Sequence, residues 1–123
     1  MQGSGNSVRV AVVQAAPVLM DKKATLEKSV ALIDDAAEKG AKIVLFPEAF
    51  IPAYPRGLSF GTIIGKRTPE GKRDFQRYFD NSVDVPGEET RILAEMARKH
   101  GIFLLMGVIE REWGTLYCTT LYF

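Results

Sequence analysis

The chain has 123 residues, 46% hydrophobic and 25% charged. That composition is globular, fits one domain or part of one, and excludes a disordered, collagen-like or disulfide-stapled polypeptide. The lysines and arginines (16) nearly balance the acids (15), for a formal net charge of +1, so no global field draws the chain to nucleic acid or an anionic membrane, and neither is an expected partner.

Residues 1–7, Met-Gln-Gly-Ser-Gly-Asn-Ser, are small and polar with no apolar core behind a basic start, so they read as a flexible leader and not as a signal peptide. No apolar run approaches the roughly 20 residues that span a bilayer. "VRVAVVQ" at 8–14 is short and β-branched and runs into Pro17, which predicts the first strand. Over 22–39 the apolar residues Leu26, Val30, Ile33 and Ala37 recur at helical spacing, Asp21 is placed to cap the start, and Gly40 stands where a helix ends. Residues 42–46 then form a continuous apolar run, the pattern of a strand covered on both faces. These elements predict a βαβ unit with two adjacent parallel strands.

Residues 57–86 have no sustained period and include Gly57, Gly61, Gly65, Pro69, Gly71 and Pro86. They read as a long functional connection with room for a short helical turn at 74–79. A second helix is predicted over 88–99, with Ile92, Leu93, Met96 and Ala97 on one side, Glu88 and Glu89 in its first turn and Gly101 after its end. "IFLLMGVIE" at 102–110 reads as a strand, and Glu112, Trp113 and Gly114 as a hairpin turn into 115–123. The run "TLYCTTLYF" has apolar or aromatic side chains at both parities and is expected to be covered on both faces, so the chain is expected to form the front part of a longer domain or to lean on another chain.

The stretch "IVLFPEAFIPAYPRG" carries the chemistry. A carboxylate, Glu48, stands just beyond the C-terminal end of a predicted buried strand, where open sheets commonly place ligands. Pro47, Phe50, Pro52 and Tyr54 are expected to form a stiff, poorly hydrated wall, which would favour a general base. The alternative reading has Glu48 capping a loop or pairing with Arg56.

Those residues, together with "VRVAVVQAAPVLMDKKATLEKSVALIDDAAEKGAKIVLFPEAFIPAYPRG", "VPGEETRILAEMARKHGIFLLMGVIERE" and "GTLYCTTLYF", closely resemble the start of the nitrilase branch of the carbon-nitrogen hydrolase superfamily. Phe-Pro-Glu marks the superfamily, and the extension through Pro-Ala-Tyr-Pro-Arg-Gly is similar to true nitrilases more than to amidases or carbamoylases. The resemblance implies an α/β fold, part of an α-β-β-α sandwich that stops after four or so strands. Residues 8–123 are then the N-terminal part of the hydrolase domain. It implies a Glu, Lys, Cys triad in which a cysteine thiolate attacks a small organic nitrile to give a thioimidate, the glutamate moves protons and the lysine stabilises charge. Water then releases ammonia and the carboxylic acid, with no metal or other cofactor. Glu48 matches the family's glutamate, and the lysine and cysteine motifs are not among these residues. The resemblance further implies a homo-oligomer. A non-catalytic piece docking onto full-length subunits and an amidase-type hydrolase are the alternatives.

Other candidates read as structural. Cys118, the single cysteine, suits a reducing compartment and hence the cytoplasm; it lies within a predicted strand, without the context of the family nucleophile, and is expected to be a small core residue. Lys99 reads as a solvated charge and His100 as a cation at a helix C-terminus. Arg56, Lys66, Arg67, Lys72, Arg73 and Arg77, interrupted by Glu70, Asp74 and Asp80, read as a solvated face. Tyr54 either lines the substrate pocket or packs, and Trp113 is either a turn residue or an interface anchor.

Overall fold

The computed structural model describes residues 5–60 and 67–123. It is a mixed α/β unit with a four-stranded sheet in the order β1-β2-β3-β4 and three helices. The elements are β1 (Val10–Val12), α1 (Lys22–Glu38), β2 (Ile43–Leu45), α2 (Pro69–Asp80), α3 (Glu88–His100), β3 (Phe103–Glu112) and β4 (Thr115–Tyr122). β1, β2 and β3 are parallel neighbours, in the register Val10, Ile43, Phe103, and β4 returns antiparallel to β3 through Trp113 and Gly114. The expected βαβ unit is therefore present.

Local chemistry sets the helix ends. Asp21 accepts from the Ala24 N–H at 2.9 Å and starts α1. Gly101 ends α3 with φ +59°, a left-handed conformation that costs a residue with Cβ about 1 kcal/mol. Two polar residues sit on the buried side of α1. The Thr25 hydroxyl donates to the Val18 carbonyl at 3.0 Å and accepts from its N–H at 3.1 Å, tying the incoming loop to the helix, and Ser29 donates to the Thr25 carbonyl at 2.8 Å.

Leu26, Ile33 and Ala36 of α1 and Leu93, Met96 and Ala97 of α3 pack with Val44, Leu104, Met106 and Val108 in the main core. A 3.0 Å ion pair between Lys22 and the buried Glu89 joins the two helices. Strand residues alternate faces, so the neighbours in register, Val10, Val12, Leu45, Phe103 and Tyr122, lie on the opposite side, where all five are exposed. Strands 42–46 and 115–123, expected to be covered on both faces, are within this chain covered by α1 and α3 on one face only and are open on the other over most of its extent.

The expected short turn at 74–79 is also corrected, because α2 is a complete helix of 12 residues. Thr68 caps it by accepting from the Gly71 N–H at 3.1 Å, Pro69 occupies its first turn and Glu70 meets its N-terminal dipole. Tyr78 of α2 joins Met20, Ala49 and Ile109 in a second cluster. Val108 belongs to the main core and Ile109 to this one, so α2 covers the far end of the β3–β4 ribbon on the side opposite α1 and α3. Of the connection 57–86, residues 61–66, which include Gly61, Gly65 and Lys66, lie outside the described residues, as do residues 1–4 of the leader. Among the described residues no helix is long and apolar enough to cross a membrane.

Candidate active site

The segment after β2 is stapled along β3. The Phe46 N–H donates to the Leu105 carbonyl at 2.9 Å, Phe50 and Ile51 N–H groups share the Gly107 carbonyl at 2.8 and 3.3 Å, and Ile109 N–H reaches Ile51 at 2.7 Å. The turn carrying Glu48 lies so close to β3 that a Cβ on Gly107 would stand 2.2 Å from the Pro47 carbonyl oxygen and 2.7 Å from Glu48 Cα. Only glycine admits that approach. Ala49 and Ala53 take φ +49° and +100°, left-handed values that cost an L-residue free energy. Together these features hold Glu48 at the C-terminal end of a central parallel strand, the place where open α/β sheets commonly bind ligands.

The surroundings of Glu48 differ from the expected dry wall. Phe50 and Pro52 are fully buried, with Phe50 turned into the main core against Phe46, and Glu48 itself is exposed. Side chains that would have formed the wall instead anchor the turn from beneath. Tyr54 is 64% exposed, so it does not pack. Among the described residues no ion pair joins Glu48 to Arg56, and Arg56 is exposed.

The partner of Glu48 is the residue assigned to the core. Cys118 is exposed, and its thiol donates to Glu48 Oε1 at 3.1 Å. The cause is register: Cys118 stands opposite Ile109 on the face away from α1 and α3, and the close passage over Gly107 brings Glu48 to the same face. The hydrogen bond to Glu48, then partial burial and then the carboxylate's charge push the Cys118 thiol above its ordinary range. Tyr78, 6% exposed, completes the neighbourhood. Burial first, and then the potential negative charges of Cys118 and Tyr54, push its phenol up to about 12. It is thus a neutral hydroxyl at physiological pH. Sequence alone assigns neither residue a role at the site: Tyr78 reads as one of the apolar residues of a helix, and Cys118 lies on a strand whose two faces look alike.

The remaining candidates lie elsewhere. Lys99 is 62% exposed and, with His100, binds Asp34 Oδ1 at 3.1 and 2.6 Å, which holds the Asp34 carboxyl below its usual range, His100 contributing most. Arg67, Lys72, Arg73 and Arg77 are exposed, and Arg73 pairs with Glu70 at 3.2 Å. The described part of the basic stretch is a solvated face. Trp113, 94% exposed, forms the hairpin turn with φ +55°.

Comparison with known proteins fits this geometry. The family model Carbon-nitrogen hydrolase matches residues 9–123. An aliphatic nitrilase of Sinorhizobium fredii (strain HH103) is 55% identical over 115 residues, covering 94% of this chain and 37% of the relative. A bifunctional nitrilase/nitrile hydratase of Lupinus angustifolius is 53% identical over 117 residues, covering 95% and 34%. The chain thus spans about a third of the length of the curated relatives it matches. Among solved structures, an amidase from Nesterenkonia sp. superposes with TM-score 0.55 at 21% identity, over 85% of this chain and 33% of the amidase, a likeness of fold. With a family match across nearly all its residues and nitrilases at about half identity, this chain belongs to the carbon-nitrogen hydrolase family.

Proposed function

We propose that residues 8–123 are the N-terminal part of a nitrilase domain that hydrolyses a small organic nitrile to the carboxylic acid and ammonia, with Glu48 as its general base and acid. The observation that carries this reading is the rigid presentation of Glu48 at the end of β2, on a turn fixed by Gly107 and by backbone bonds to β3, within a chain 55% identical to an aliphatic nitrilase. The open sheet face is where a second sheet of the sandwich packs, and residues outside this chain supply the lysine and the nucleophilic cysteine.

Glu48 takes the proton of that cysteine as sulfur attacks the nitrile carbon, and the nitrile nitrogen gains a proton to give a thioimidate. Addition of water and loss of ammonia leave a thioester, and a second water, deprotonated by the same carboxylate, releases the acid and restores the thiol. Release after the first water alone would yield the amide, a second product supported by relatives named bifunctional nitrilase/nitrile hydratase. Tyr54, exposed beside Tyr78, lines the substrate side. By the same resemblance the full-length protein is a homo-oligomer, and the single cysteine of this chain suits the cytoplasm.

The test is Glu48→Gln in the full-length protein. The amide keeps the shape and accepts no proton, so ammonia release falls about 100- to 10,000-fold while the thermal midpoint holds. Near-normal turnover overturns the reading.

A further inference from the structure

Glu48 and Cys118 are 70 positions apart and are held independently. The carboxylate is fixed by the turn over Gly107, the thiol by the β3–β4 register opposite Ile109. Their 3.1 Å contact is the only hydrogen bond to the Glu48 side chain among the described residues. A carboxylate on an exposed turn has several rotamers of similar energy, and a base that must meet both a thiol and a water needs one of them.

We propose that Cys118 is a positioning residue for Glu48: its thiol donates to Oε1, selects the working rotamer, and leaves Oε2 free to exchange protons with the reacting groups. The proposal rests on the reading of Glu48 as the base. Cys118 is not itself suited to attack. Thiolates form beside cations or helix N-termini. Cys118 instead lies inside β4, its nearest charged partner is an anion, and that anion holds the proton on sulfur. The same contact thus orients the base and keeps a second, competing thiol protonated.

Three measurements on the full-length protein test this. Removing one hydrogen bond to a charged group predicts that Cys118→Ala lowers kcat about tenfold with KM unchanged. Cys118→Ser, which restores a donor, recovers most of that loss, and the thermal midpoints of both stay near wild type. Site-resolved alkylation followed by mass spectrometry reads the contact without turnover: in Glu48→Ala the pH midpoint for modifying Cys118 moves down, because the carboxylate that holds the proton is gone. Normal kcat in Cys118→Ala, a Ser variant as slow as Ala, or an alkylation midpoint indifferent to Glu48 each overturns the proposal. So does complete loss of activity in Cys118→Ala with substrate-derived label found on Cys118 in the wild type, which would make it the nucleophile. Near-normal turnover in Glu48→Gln instead overturns the general-base reading, so the two failures are told apart.

Discussion

Gly107 sets the position of the candidate base although it carries no functional group of its own. A methyl group there would meet backbone atoms of Pro47, Glu48 and Ala49 at 2.2 to 2.8 Å, and backbone has no flexible end to move aside. Gly107→Ala therefore either lifts the turn off β3 or breaks the bonds that Phe50 and Ile51 make to the Gly107 carbonyl. Overpacking of this kind costs about 1–3 kcal/mol. The effect on turnover should exceed the effect on stability, because a 1 Å displacement of a reacting group costs on the order of 100-fold. Thermal midpoint and ammonia release of Gly107→Ala in the full-length protein check this. A variant that loses stability and keeps its rate would show that the close approach serves packing alone.

Among elements, α2 is tied to the sheet by the packing of Tyr78 on Ile109 and by a polar clasp at its C-terminal end. Arg111, near the end of β3, binds Asp84 through two hydrogen bonds of 2.7 Å, reaches the Phe79 and Asp80 carbonyls at the end of α2 at 3.3 and 3.4 Å, and lies 5.7 Å from the centre of the Phe79 ring. The hydrogen bonds from Arg111 hold the Asp84 carboxyl below its ordinary 3.8, while Asp84 pushes the guanidinium further up. A depressed folded-state pKa means that the unfolded chain takes up the proton first as pH falls. The stabilisation is therefore complete above about 3.8 and fades as pH drops through the folded value. Asp84→Asn should lower the thermal midpoint by a few degrees at pH 7, as about 0.5 kcal/mol suits a half-exposed pair. The gap to wild type should close below pH 3.8. A gap that persists in acid would assign the effect to packing and not to charge.

At the scale of the molecule, the dominant feature among the described residues is a sheet with α1 and α3 on one face and, on the other, α2 over one end only, the rest being open. Val10, Val12, Leu45, Phe103 and Tyr122 are 51%, 65%, 37%, 71% and 74% exposed, a contiguous apolar surface of the kind proteins seldom leave in water. The isolated 123-residue chain should bind a hydrophobic dye such as ANS and increase in apparent size with concentration. Replacing Phe103 and Tyr122 together by Ser should reduce both effects with little loss of thermal stability, since neither side chain packs in the main core. Dye binding indifferent to that double change would locate the sticky surface elsewhere.

Sequence by itself determined the elements whose cause is local. Periodic apolar residues with a capping Asp21 gave α1, acidic and glycine ends framed α3, and Trp113-Gly114 between apolar runs gave the hairpin, because these signals act within a few residues of chain. The Phe-Pro-Glu stretch also marked Glu48 and the family. The first half of α2 was hidden because Pro69 and Gly71 look like loop residues and nothing apolar precedes Phe75, whereas Phe75, Tyr78 and Phe79 fall at helical spacing where the short turn was expected. Only the tertiary structure decided that Cys118 faces outward against Glu48 and that Phe50 and Pro52 lie beneath the turn and not around it. An apolar run with both parities filled does not say which face will be covered. That choice belongs to strand register and to the helices that reach the sheet, and both are set by contacts between residues far apart in the chain.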